Sequence, residues 1–246
     1  MVARVVQEFR GFSGSTVVLM GKRGNLFVRK TGNIQRNVEQ IEALKHRYPV
    51  PKIYTVRGDT VDMEYLHGLD IRSYLISNST TKLLNFIVDT FEKMSSRVVI
   101  KDYTDTYKRF LETVDFSNFS FDATDLLKRI PTHLPQSEYH GDFTLENVIY
   151  HNDSFVLIDC STSVWDSFIF DIAKMRQDLE CKWFLRNSPA MIENKLQTIQ
   201  SKLFSLWPVT NNDYLLILML LRVYRYTYNN SPERDLIQRE IQRLWK

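Results

Sequence analysis

The chain has 246 residues, enough for one large core or two lobes, and its 43% hydrophobic and 25% charged content is that of a folded rather than a disordered protein. A net charge of +3, from 32 basic and 29 acidic residues scattered along the chain, points away from a nucleic-acid surface. The N-terminus shows no apolar leader and the longest apolar run is Leu215 to Leu221, so neither a secretory signal nor membrane insertion is expected, while two isolated cysteines, Cys160 and Cys181, suit a reducing cytoplasm better than a disulfide framework or a zinc site.

Residues 1–66 read as a small β-rich lobe. Val5 and Val6, Thr16 to Met20 and Leu26 to Lys30 are strand-like runs separated by the Gly/Ser-rich stretches 11–15 and 21–25. The first of these turns offers backbone N–H groups and the hydroxyls of Ser13, Ser15 and Thr16, which suit a phosphate, although a turn of this composition also serves simply to join strands. Alternation in the third run places Leu26, Val28 and Lys30 on one face, so a lysine lies in line with core residues and needs a partner. The helix that follows, residues 34–47, carries the apolar stripe Ile34, Val38, Ile41 and Leu44, with Glu42 nearer that stripe than Glu39. Pro49-Val50-Pro51 ends it. Lys52 to Val56 and Thr60 to Tyr65 are the next strands, and His67-Gly68 is a natural hinge, with backbone groups near Glu64 and Leu66 placed to meet an adenine edge.

Beyond Asp70 the pattern turns helical, over Ile71 to Ser77, Lys82 to Met94, Tyr103 to Val114 and Ala123 to Ile130, and Pro131 and Pro135 close that section. A further helix opens with Asp171 in N-cap position, and Asn212 to Tyr228 and Pro232 to Trp245 complete the chain.

Between these helical stretches lies His140-Gly141-Asp142-Phe143-Thr144-Leu145-Glu146-Asn147, then an apolar run, a polar turn at His151 to Ser154, and Phe155 to Asp159. Two apolar runs about a four-residue polar turn form a hairpin that sets Asn147 opposite Ile158 and beside Asp159. An amide and a carboxylate at its open end are hard oxygen ligands suited to Mg2+. Asp142 precedes Asn147 by the Asp-x-x-x-x-Asn spacing of a kinase catalytic loop.

His140-Gly141-Asp142, Asn147, Ile158-Asp159 and Asp171 resemble the aminoglycoside phosphotransferase and choline kinase superfamily, most specifically over residues 138–178. The resemblance implies an α+β, two-lobed protein-kinase-like fold. A nucleotide-binding lobe of small antiparallel sheet plus one helix would span residues 1–66, and a larger, mainly helical catalytic and acceptor-binding lobe residues 67–246. It implies ATP and Mg2+ as cofactors, Asp142 as catalytic base, Asn147 and Asp159 as metal ligands, and His140 and Asp171 as supports of the loop. In the first lobe the match is looser: Lys30 would hold phosphates and pair with a helix glutamate, for which spacing to Leu44 favours Glu39 and the helix face favours Glu42. Asp159 is followed by Cys160-Ser161 instead of an Asp-Phe-Gly, and the short interval to Asp171 leaves no room for a long activation segment, so a small-molecule hydroxyl acceptor is expected in place of a protein. The wording around His140, with Leu221-Arg222-Val223-Tyr224, looks like a bacterial subgroup of surface-polysaccharide sugar metabolism, which suggests a sugar or polyol. Arg176, Arg222 and Arg225 would suit a phosphate or carboxylate on it. The alternatives are an aminoglycoside- or choline-type phosphotransferase and a nucleotide-binding regulatory module that transfers nothing.

Overall fold

The computed structural model describes residues 3–9, 15–181, 183–185 and 192–246. In chain order these form β1 (Arg4–Phe9), β2 (Thr16–Lys22), β3 (Asn25–Thr31), α1 (Gln35–Leu44), β4 (Ile53–Arg57), β5 (Thr60–Glu64), β6 (Leu69–Asp70), α2 (Ile71–Ser77), α3 (Thr81–Met94), β7 (Val99–Asp102), α4 (Thr104–Leu111) and α5 (Ala123–Leu127). They continue as β8 (His133–Gln136), β9 (Val148–His151), β10 (Ser154–Leu157), α6 (Phe168–Leu179), α7 (Glu193–Leu206), α8 (Asp213–Tyr224) and α9 (Pro232–Leu244). The α+β class expected from the sequence is the one observed. Two compact units divide the chain, Met1–Tyr74 with Glu146–Ser163, and Leu75–Leu145 with Val164–Lys246.

The first unit is built on an antiparallel five-stranded sheet of order β1-β2-β3-β5-β4. Its β-branched and apolar runs pair in register from Thr16↔Thr31 to Lys22↔Asn25. The expected inward lysine is there: Lys30 is 6% exposed. A second sheet of order β10-β9-β6 belongs to the same unit, because the two-residue β6 pairs with β9 from much later in the chain. In the β9–β10 hairpin Ser154 faces His151 and Leu157 faces Val148, and Ile158 N–H donates to the Asn147 carbonyl at 2.9 Å, so the expected register holds. Asn152 and Asp153 both have positive φ, 46° and 59°, the two-residue turn whose twist matches its strands, and Asn and Asp are side chains that tolerate that backbone. Tyr74, Tyr150 and Phe155 pack together beside the hairpin with ring centroids 4.6–5.1 Å apart.

The second unit is helical around α6 and α8. All twelve residues of α6 are buried, and α8 buries Leu215 to Leu221, the longest apolar run of the sequence. Among the described residues no helix is long and apolar enough to cross a membrane. On α3 the buried stripe Leu83, Ile87, Thr90, Phe91 and Met94 follows helical spacing. Side-chain caps start four of its helices: Asp122 for α5, Ser167 for α6, Asn212 for α8, and Ser231, followed by Pro232, for α9.

Two features of this unit depart from the sequence reading. α6 begins at Phe168 under Ser167, not at an Asp171 cap, since the Asp171 carboxylate is spent on a different segment. Residues 99–102 and 133–136, which the sequence reading leaves between and after its helices without an element, form an antiparallel pair, β7 with β8. Strands of four residues carry too little periodicity to register, and Pro135 sits at a sheet edge, where a missing N–H costs nothing.

The β6–β9 pairing rests on Gly68, where a Cβ would lie 2.2 Å from the Tyr150 carbonyl oxygen and 2.9 Å from Ile149 Cγ2. Gly68→Ala must therefore push β6 away from β9, and a loss of about 1–3 kcal/mol is expected in urea unfolding. An unchanged midpoint would show that the approach is not as close as drawn.

Candidate active site

In the first unit a buried lysine meets the end of the hairpin. Lys30 Nζ donates to Asp159 Oδ1 at 2.6 Å, and the α1 amide Asn37 Nδ2 donates to the same oxygen at 3.3 Å and to the Cys160 carbonyl at 2.7 Å. Asp159 sits at φ 57°, a left-handed conformation that Asp tolerates better than most residues and that turns the chain out of β10. Its side chain stays 45% exposed, and Oδ2 takes no donor among the described residues. The Ile158–Asn147 backbone bond sets Asn147 at the same end of the hairpin, and a carboxylate and an amide are hard oxygen donors of the kind that Mg2+ takes.

In the second unit one helix face holds the whole loop around Asp142. Asp171 on α6 accepts from the backbone N–H groups of His140 (2.5 Å), Gly141 (3.0 Å) and Phe143 (3.4 Å). Two turns on, Asp178 accepts from Leu145 N–H at 2.7 Å. Between them Lys174 Nζ lies 3.1 Å from Asp142 Oδ1. Gly141 adopts φ 92°, which lets successive amides aim at one carboxylate. Asp142 N–H donates to His140 Nδ1 at 3.2 Å, and the fully buried His140 ring stacks on Phe143. Burial pushes the Asp142 carboxyl upward, but the charges of Lys174 and Arg222 and the Lys174 hydrogen bond outweigh it and hold the group below its usual range. It is ionised at neutral pH, as a proton acceptor must be.

Lys30 lies where the sequence placed it, but its partner is corrected. It pairs with Asp159, while Glu39 accepts from Gln35 and Glu42 holds Lys45, both glutamates facing solvent. The inward positions of α1 are Asn37, Gln40, Ile41 and Leu44, so the side chain that meets the site from this helix is an amide. Glu64 Oε2 accepts from Lys52 N–H at 3.2 Å, and Leu66 lies in the segment between β5 and β6. Ser15 lies just before β2 against Gly32, and Ser13 lies outside the described residues. Of the three arginines, Arg176 is committed: its guanidinium donates to Glu180, Asp213 and the carbonyls of Thr210 and Asn212. Arg225 stacks over Phe110 and Tyr226, and Arg222 alone acts on Asp142. Asn37, Lys174 and Asp178 escaped the sequence reading. The signal for the last two was available, since they follow Asp171 at three and seven residues on one helix face.

Residues 102–199 match the model of the phosphotransferase enzyme family. No curated protein matches the chain. Among solved structures it is similar to the aminoglycoside phosphotransferase APH(4)-Ia, at TM-score 0.70 and 9% identity over 99% of this chain and 93% of that one. It is also similar to an ethanolamine kinase of Plasmodium vivax (0.64, 13%, 98% and 81%) and to the choline kinase LicA of Streptococcus pneumoniae (0.63, 14%, 99% and 93%). The fold is thus a protein-kinase-like one, and the loop around Asp142 lies within the stretch that matches the family model. The resemblance to the aminoglycoside phosphotransferase and choline kinase superfamily is borne out by the family match and by the shared fold.

Burial, reinforced by the neighbouring charge of Asp142 and opposed by the three amides, pushes Asp171 up to about 7. Unfolded, the same carboxyl titrates near 4, roughly its model-peptide value. The folded state therefore binds the extra proton in that interval, and this contribution to stability, complete below about 4, is lost as pH rises through about 7. Urea midpoints of the native protein should fall from pH 5 to pH 7.5 relative to those of Asp171→Asn. Parallel pH profiles for the two proteins would remove the assignment.

Asn37→Ala removes the amide that donates to the Cys160 carbonyl in a buried setting and should cost about 1–3 kcal/mol in the same assay.

Proposed function

We propose that the protein transfers the γ-phosphoryl group of ATP, with Mg2+, to a hydroxyl of a small molecule, a sugar or polyol. The observation that carries this reading is the ionised Asp142 on a loop whose amides are fixed by α6. In the reaction the acceptor oxygen forms a bond to the γ-phosphorus, the bond to the ADP oxygen breaks, and the hydroxyl proton passes to Asp142. Asn147 and Asp159 would hold the magnesium ion, which when bound neutralises charge on the phosphate oxygens. Lys30, buried and hydrogen-bonded to Asp159, would bring positive charge for the phosphates, and Ser13 and Ser15 would offer hydrogen-bond donors. Backbone groups near Glu64 and Leu66 would meet the adenine.

A nucleotide donor is supported by the ternary complexes of thermostable mutants of APH(4)-Ia, one with AMP-PNP and hygromycin B and one with ADP and hygromycin B. A small acceptor is supported by the short interval from Asp159 to α6, which holds no long docking segment. Two free, buried cysteines suit a cytoplasmic setting.

The test is incubation with ATP, magnesium and pooled sugars, polyols, aminoglycosides and choline, read by mass spectrometry for a new phosphoester. Asp142→Asn should lower turnover by about 10²–10⁴-fold while nucleotide binding persists. Product from choline or an aminoglycoside in place of a sugar would reassign the acceptor. ATP binding with no product from any pool would favour a regulatory module.

A further inference from the structure

Arg176 and Arg222, two arginines of the second unit, are used in opposite ways. Arg176 is 1% exposed and spends its fork on two carboxylates and two carbonyls, as an arginine that ties helices together does. Arg222, on α8, is half-buried and meets no carboxylate or carbonyl among the described residues; its one hydrogen bond there is from Nη1 to the Met219 sulfur at 3.2 Å, a weak acceptor. The Trp165 ring lies 5.1 Å below its guanidinium, and Trp165 is itself fixed by Tyr107, Phe110 and Phe170. Such a shelf fixes the plane of the guanidinium and leaves its edge, with the remaining N–H donors, for something else.

The helix that carries Arg222, α8, packs on α6, which carries Lys174, and the charge of Arg222 reaches the base. The positive charge of Arg222 is the second largest influence holding Asp142 ionised, after that of Lys174, and Asp142 and Asp171 are the carboxylates that act on Arg222 in return. Lys174 likewise uses one contact, to Asp142, and makes no other hydrogen bond among the described residues. A hydroxyl presented to Asp142 therefore meets two cations with spare donors, Lys174 in contact with that carboxylate and Arg222 acting on it through its charge. A neutral polyol leaves the Arg222 fork unmatched, whereas a planar carboxylate or a phosphate oxygen pair fills it.

We propose that Arg222 is the binding site for an anionic group, a phosphate or carboxylate, carried by the acceptor itself. The proposal rests on the phosphotransfer reading and narrows it to sugars or polyols that are already acidic, such as sugar phosphates and sugar acids. The anion takes no part in bond making; it orients the hydroxyl toward Asp142.

Two measurements test it. Inorganic phosphate is titrated into the native protein and into Arg222→Gln and Arg222→Lys, with binding read from tryptophan fluorescence and Trp165→Phe marking the share from the ring beneath the guanidinium. The native protein should respond, Arg222→Gln should need about tenfold more phosphate or show no response, and Arg222→Lys should fall between, keeping charge but losing the fork. No response in the native protein, or equal responses in all three, overturns the site. Turnover is then compared on matched acceptors, a hexose with its uronic acid and its phosphomonoester, and glycerol with glycerol phosphate. Preference for the acidic members, with Arg222→Gln raising their KM about tenfold or more and changing kcat less, supports the assignment and shows which anion is read. Equal use of neutral and acidic members, or an equal kcat loss on both, overturns it, the latter placing Arg222 on the transferred phosphoryl group. Failure of the phosphotransfer reading looks different: no member becomes phosphorylated, whatever phosphate does to the fluorescence.

Discussion

The second unit turns on one carboxylate. Asp171 lies inside a helix buried on every side, where an unpartnered charge would be severely penalised, and it gathers the amides of His140, Gly141 and Phe143. Those amides belong to an irregular segment that lies outside helix and sheet. The two needs answer each other: the loop satisfies the acid, and the acid gives the loop one conformation. Asp178 repeats the arrangement at Leu145, and Lys174, between them, meets the loop's own carboxylate. A single face of α6 thus fixes the shape of the loop and supplies, in Lys174, the larger of the two charges that keep Asp142 ionised.

The first unit solves a related problem with less charge. Lys30 is buried in a sheet, and the helix that packs in the same unit turns amides, not carboxylates, inward, so Asp159 is the acid that balances the lysine. Asn37 adds a neutral donor to the same carboxylate and ties the residue after it through the Cys160 carbonyl. The result is a carboxylate held along one edge and open along the other. A fully enclosed ion pair would be more rigid, but it would leave no oxygen for a ligand.

What the sequence made legible follows from the range of each interaction. The β9–β10 register was readable because an apolar-turn-apolar pattern fixes pairing locally, and the inward Lys30 because alternation is a two-residue rule. The partner of Lys30 was not, since it lies 129 residues away and the local rule offered only the two glutamates of α1, which face water. Asp171 reads as a helix cap because an acid before an apolar helical run does so in most chains. The fold shows that Ser167 caps, and that Asp171, a support of the loop by the family resemblance, acts by reaching back about thirty residues, beyond the range of any local spacing rule. β7 and β8 were hidden for the same reason, each being too short to announce itself without the other.

The hairpin has a further consequence for how such a chain can vary. Asn147 and Asp159 stand at its open end, and the Asn152-Asp153 turn closes the other end, with four paired positions between. Residues added at the turn lengthen the tip without altering the pairs below it. The distance along the sequence between the amide and the carboxylate can therefore drift while their separation in space stays constant, and counting residues between them is a weaker guide to relatives than finding the two strand ends.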